Sequence, residues 1–143
     1  MLKVFKKKRF LNRAIELARS AHGEQTIVGS DVPYFNHVAS VIANVISGIS
    51  ENSDGDFALC VAALHDVVED TEVTLAELHA EFGGDVAAAV EALTKNKSLP
   101  KDEQMHDVLV RVKRQPKEVW AVKLADRIAN LMPPPSVWSA EKA

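Results

Sequence analysis

Between Phe57 and Val68 the sequence reads FALCVAALHDVV, ten apolar residues out of twelve, with His65 and Asp66 set side by side among them. Twelve such residues are long for a strand and rich in Ala and Leu, so the segment is expected to be a helix buried on most sides. Burying an imidazole and a carboxylate there without partners would cost several kcal/mol, and packing alone gives no reason to bury both. On a continuous helix His65 would share a face with Glu69, and Asp66 with Asp70, giving two adjacent rows of polar ligands.

The rest of the chain offers comparable helical periodicity and no sustained alternation. Phe10, Ala14, Leu17, Ala18 and Ala21 recur at three and four residue steps until His22-Gly23 stops the first helix. Pro33 is placed as the first residue of a second helix, which carries Tyr34, Val38, Val41, Ile42, Val45 and Ile46. Thr74 and Glu77 form a capping box ahead of Leu75 and Leu78, Gly83-Gly84 ends that helix, and Asp85 is expected to cap the next, Val86 to Leu93. Helices are expected from about Glu103 to Arg114, where Pro116 intervenes, and from Trp120 to Leu131, halted by Pro133, Pro134 and Pro135. Ser136 to Ser139 reads as the start of a further helix. The fold class is all-α, a compact helical bundle in a single domain over residues 1–143.

A chain of 143 residues with 47% hydrophobic content can bury a core without disulfides or structural metal. Seventeen Lys and Arg against 20 Asp and Glu leave a net charge of −3, which argues against a nucleic-acid binder. Lys3, Lys6, Lys7, Lys8 and Arg9 form a basic start, but Phe10-Leu11 is followed at once by Asn12-Arg13. The apolar stretch of a signal peptide or membrane span is therefore missing, and the basic cluster reads as a solvated end. The single Cys60 excludes an internal disulfide and a multi-thiolate site, and a cytoplasmic setting is the simplest expectation.

Two further interruptions complete the pattern. His37 sits near Tyr34, Val38 and Val41, and Asp126 with Asn130 marks one stripe of the last helix. His37, His65, Asp66 and Asp126 form a nitrogen and oxygen donor set that suits Mn²⁺, Fe²⁺ or Mg²⁺ at least as well as Zn²⁺. Glu69 and Asp70, not needed to complete that set, are placed to orient or deprotonate a water, or to protonate a leaving oxygen. His79 and His106 are expected to be exposed, and His22 either lies near the site or merely ends its helix.

A histidine, a His-Asp pair and a distant Asp resemble the HD phosphohydrolase superfamily. The stretches AHGEQ (21–25), PYFNH (33–37), AALHDVVEDT (62–71), Phe82-Gly83, Leu93-Thr94-Lys95 and VKLADRIANL (122–131) are similar to its RelA/SpoT hydrolase branch, over about residues 14 to 131. The resemblance implies a Mn²⁺-dependent pyrophosphohydrolase of the small alarmone hydrolase kind, removing the 3′-diphosphate of ppGpp, with no synthetase half. It assigns the metal to His37, His65, Asp66 and Asp126, water activation to Glu69 and Asp70, and nucleoside contact to Asn130. Ser30, Tyr34, Lys123 and Arg127 are its other substrate-side candidates. The chain departs from the family at the Arg-Lys pair expected to hold base and phosphates, where Val28 and Gly29 stand, and after Asn130, where Met132 to Pro135 replace polar contacts. Lys95, Lys97, Lys101, Lys123 and Arg127 are candidates to supply the missing charge. Family members usually continue beyond this point, so a shortened C-terminus is expected. Two alternatives stay open: a hydrolase for another phosphorylated nucleotide or metabolite, and a metal-binding regulatory module without turnover.

Overall fold

A computed structural model describes residues 2–131, with side chains from Phe10 onward, and among them there are eight helices and no strand. In chain order they are α1 (Leu2–His22), α2 (Phe35–Gly48), α3 (Gly55–Leu64), α4 (Val67–Asp70), α5 (Leu75–Phe82), α6 (Gly84–Leu93), α7 (Lys101–Lys113) and α8 (Lys117–Asn130). The all-α expectation holds. The expected proline stop at 133–135 and helix start at 136–139 lie outside the described residues, as do the side chains of the basic start.

The bundle is organised around α3, which packs against α1, α2, α6 and α8. Ala58, Val61, Ala62, Ala63 and Leu64 of α3 are all fully buried, so it is apolar on every side, as a central helix must be. One half of the core joins α3 to Val41 and Val45 of α2, Ala89 of α6, Val108 of α7 and Val122 of α8. The other half joins it to Ala14 and Ala18 of α1, Leu78 and Phe82 of α5 and Val90 of α6. Asp54 caps α3 by accepting from Phe57 N–H at 3.1 Å, and its own N–H donates to Glu118 of α8 at 2.8 Å.

Local departures from the sequence reading have identifiable causes. The apolar helix does not run unbroken to Val68: it ends at Leu64, and His65-Asp66 form a turn before the single turn of α4. His65 Nδ1–H donates to the Ala62 carbonyl at 2.6 Å, and Asp66 adopts φ −110°, ψ −2°, outside the helical well. Asp70 N–H still bonds the Asp66 carbonyl at 2.9 Å, so that pair keeps its one-turn relation. The row pairing His65 with Glu69 is lost, because His65 is 3% exposed in the core while Glu69 lines a surface cleft.

Pro33 does not open α2. It forms an isolated antiparallel bridge with Thr26, and Tyr34 N–H bonds Gln25 O at 2.7 Å, so the helix waits until Phe35. Asp85 is not a cap: Gly83, at φ +93°, holds that position and Asp85 falls within the first turn, where its charge still favours the helix dipole. The capping contact from Thr74 to Glu77 N–H is present at 3.2 Å. α7 and α8 each begin directly after a proline, two to three residues earlier than periodicity alone indicates.

Cys60 is 4% exposed. Burial first, then the nearby Asp56 and Asp54, push its thiol up to about 12. The unfolded thiol ionises near the ordinary value of about 8.5 while the folded one keeps its proton, so stability is undiminished below that pH and falls as pH rises toward 12. A disulfide reagent such as DTNB at pH 8 is therefore expected to leave the native chain unlabelled and to label one thiol in guanidinium; rapid native labelling would contradict this packing.

Candidate metal centre and adjoining cleft

Four side chains from three separate stretches meet where α2, the α3–α4 turn and α8 converge. His37 stands on the first turn of α2, His65 and Asp66 occupy the turn, and Asp126 lies on α8. One ligand atom from each lies within 4.8 Å of every other, as metal ligation demands. His37 Nε2 is 3.0 Å from Asp126 Oδ1 and 3.6 Å from Asp66 Oδ2; His65 Nε2 is 2.8 Å from Asp66 Oδ2 and 3.4 Å from Asp126 Oδ1.

The donor chemistry fits a divalent cation. With Nδ1–H committed to the Ala62 carbonyl, His65 presents Nε2 inward. That atom is buried and, despite the short approach of both carboxylates, makes no hydrogen bond of acceptable geometry among the described residues. A buried polar atom left this way needs an explanation, and shared ligation of a cation supplies one. Two nitrogens and two carboxylates leave further positions on an octahedral ion open to water or substrate.

Charges in the site are strongly coupled. Burial raises the Asp126 carboxyl, but the hydrogen bond from His37 and the close approach of the His65 imidazole outweigh it and hold the group well below the usual carboxylate range. Asp66 is likewise lowered: burial opposes ionisation and the neighbouring His65 overrides it. Burial pulls the His65 imidazole down, yet Asp66 and Asp126 hold it above its ordinary value. Asp70 moves the other way, raised by burial and by the charges of Asp66 and Glu69.

The donors open onto a cleft of about 200 Å³ lined by Tyr34, Glu69, Asp70, Lys95, Lys123, Arg127 and Asn130 among others. Glu69 Oε1 accepts Lys95 N–H at 2.9 Å, and Asn130 Nδ2 approaches Asp126 Oδ1 at 3.4 Å. Lys123 Nζ stands 3.8 Å from Asp126 Oδ2, one turn back on α8. Of the candidate cations, Lys95, Lys123 and Arg127 reach the cleft walls, while Lys97 and Lys101 do not line it.

Two residues expected on the substrate side sit differently. Ser30 is not brought to the cleft: its hydroxyl donates to the Ile27 carbonyl at 2.9 Å and accepts Val32 N–H at 3.2 Å, closing its own loop. Tyr34 does line the cleft, but its hydroxyl donates to Asp66 Oδ2. Val28, at the Arg-Lys position, is 95% exposed, and Gly29 beside it takes φ +79°. His79 and His106 are exposed, as expected, and His22 both ends α1 and lies beside Tyr34, its ring 4.7 Å away. Sequence reading left Gln25, Leu93 and Met105 without a site role. Leu93 and Met105 line the cleft as ordinary apolar helix residues, so periodicity marks them only as core.

Comparison with known proteins places this arrangement. The chain is 38% identical over 114 residues to guanosine-3′,5′-bis(diphosphate) 3′-pyrophosphohydrolase MESH1 of Danio rerio, covering 77% of this chain and 62% of that protein. It is 32% identical over 116 residues to MESH1 of Drosophila melanogaster, covering 78% and 64%. The chain thus spans just under two thirds of the length of these relatives. A solved structure of a metazoan ortholog of SpoT that hydrolyzes ppGpp superposes with a TM-score of 0.72 at 30% identity, covering 85% of this chain and 68% of that one. The HD domain family model matches residues 14–134, which takes in every helix of the bundle from the middle of α1 onward. The chain belongs to the HD domain family.

Proposed function

We propose that this HD domain is a Mn²⁺-dependent hydrolase that removes the 3′-diphosphate from guanosine 3′,5′-bis(diphosphate). The observation that carries the reading is the position of Glu69 and Asp70 in the cleft that three of the four donors, His37, Asp66 and Asp126, also line, since metal binding alone needs neither. His37, His65, Asp66 and Asp126 would hold the ion. A divalent cation bound there supplies Lewis acidity toward a phosphoryl oxygen and makes a water more acidic.

The residues of the chain divide the remaining work. Glu69 and Asp70 take the proton from the attacking water and return one to the departing 3′-oxygen. Water adds to phosphorus as the bond from the 3′-oxygen breaks, yielding pyrophosphate and a guanosine diphosphate with a free 3′-hydroxyl. Lys123 and Arg127 neutralise the diphosphate from the α8 wall, and Asn130 offers an amide to the nucleoside. Leu93 and Met105 give the base an apolar wall.

A second reading is a hydrolase for a different phosphorylated nucleotide, and the loop at Val28-Gly29 favours it. An exposed valine at that tip provides neither the charge nor the hydrogen bonds for which a guanine clamp is built. Mn²⁺-loaded chain assayed against ppGpp, pppGpp, simple nucleotides and NADPH separates the two. Pyrophosphate release from ppGpp is expected. Turnover confined to another nucleotide would select the second reading, and no turnover of any of them would leave a binding module.

A further inference from the structure

α4 is a single turn of four residues, too short to hold its own conformation, so the placement of Asp70 at its end must come from outside. The N-terminal side of the cleft supplies the restraints. Gln25 Nε2 donates to the Asp70 carbonyl at 2.8 Å, and the Tyr34 hydroxyl donates to Asp66 Oδ2 while standing 3.4 Å from Asp70 Oδ2. Gln25 is itself oriented: its Oε1 accepts His22 Nδ1–H at 3.0 Å, which turns the amide nitrogen toward Asp70. His22 is 2% exposed, and its Nε2 is buried without a partner among the described residues. A histidine kept buried at that cost, with its ring against Tyr34, is placed to limit where the phenol can swing.

From this geometry we infer that Tyr34, seated on His22 and braced beside Gln25, is a positioning residue that holds the Asp66 and Asp70 carboxylates in register, an inference resting on the hydrolase reading above. The resemblance placed Tyr34 among substrate contacts, which requires a hydroxyl free to meet a ligand. Here its proton is committed to Asp66 Oδ2. Asp66 is a metal-donor carboxylate and Asp70 a proton-handling one, so a single hydroxyl spans the two halves of the site.

The test compares Tyr34→Phe, which keeps the ring on His22, with Gln25→Met, which leaves Tyr34 untouched. For Tyr34→Phe, kcat is expected to fall about 10 to 100-fold with KM within about threefold of wild type, and Mn²⁺ affinity measured by calorimetry on the apo chain to weaken about tenfold. For Gln25→Met, kcat is expected to fall about tenfold with Mn²⁺ affinity unchanged, because Gln25 touches Asp70 and not the donors. Thermal midpoints confirm that both variants are folded. A KM raised tenfold or more with kcat retained would overturn the inference in favour of a substrate contact; unchanged kcat and Mn²⁺ affinity in Tyr34→Phe would overturn it as well. Should the wild-type chain hydrolyse nothing, the hydrolase reading fails, yet the Mn²⁺ titration still decides the Tyr34–Asp66 link: weaker binding supports it and equal binding removes it.

Discussion

Asp66→Ala is expected to lower the affinity of the chain for Mn²⁺ by more than about 100-fold and to take phosphohydrolase activity down with it. Changes to groups that merely support a metal ligand cost about 10 to 100-fold, and Asp66 is itself one of the four donors. Its loss has a second consequence. The carboxylate is the 2.8 Å neighbour of buried His65 and accepts the Tyr34 hydroxyl, so alanine leaves two partners uncompensated at once. Asp126→Ala on α8 is expected to match it, because Asp126 contacts both histidines. His106→Ala, at an exposed position outside the site, provides the control with wild-type binding. Mn²⁺ titration by calorimetry on the folded apo variants is the measurement, and wild-type affinity in Asp66→Ala would remove the metal centre from the mechanism.

Glu69→Gln and Asp70→Asn carry the second large effect: kcat is expected to drop about 10² to 10⁴-fold, the range that a positioned acid or base contributes, with Mn²⁺ stoichiometry retained. The substitutions suit the structure. A glutamine carbonyl still accepts Lys95 N–H as Glu69 Oε1 does, and the Gln25 contact to residue 70 goes to backbone oxygen, which asparagine leaves in place. Fold and metal site are thus preserved while proton transfer is removed. Asp70 also predicts a pH signature. Burial, Asp66 and Glu69 raise it, so the proton-accepting form is populated only above a value higher than the ordinary aspartate figure of about 3.9. With Asp70 as the acceptor, kcat falls as pH drops through that raised value, and the Asp70→Asn profile loses this limb. Activity in both variants within threefold of wild type would assign the pair to structure alone.

How far each element was legible follows from the range of the forces that make it. The helices of α1, α2 and α5 to α8 were readable because apolar spacing, capping residues and prolines act over a few neighbours. Their edges shifted by two or three residues where a proline or a backbone bond, such as Tyr34 N–H to Gln25 O, decided the boundary. The helix expected through Val68 failed for a different reason. Apolar content at 57–68 says that the segment is buried but not that His65 takes the Ala62 carbonyl and turns the chain.

The types of donor could be named from the chain alone, since a histidine and carboxylates set into apolar helices are costly unless something uses them. Ser30 could not be judged in this way: its identity suits a ligand contact and a turn equally, and only the loop shows its hydroxyl satisfied by Ile27 and Val32. Tyr34 and Gln25 were likewise undecidable, because the direction of a side chain depends on what packs behind it, here the buried ring of His22.

What the chain determined by itself is therefore its helical character, the residues that face inward and the chemical kind of its donors, all set by local periodicity and by the cost of burying charge. What only the tertiary structure decided is the meeting of His37 with Asp126, 89 positions apart, and the division of the neighbouring groups into those that face the cleft and those that hold others in place. Such meetings depend on how α2 and α8 pack across α3, and packing is a property of whole faces rather than of any one stretch of sequence.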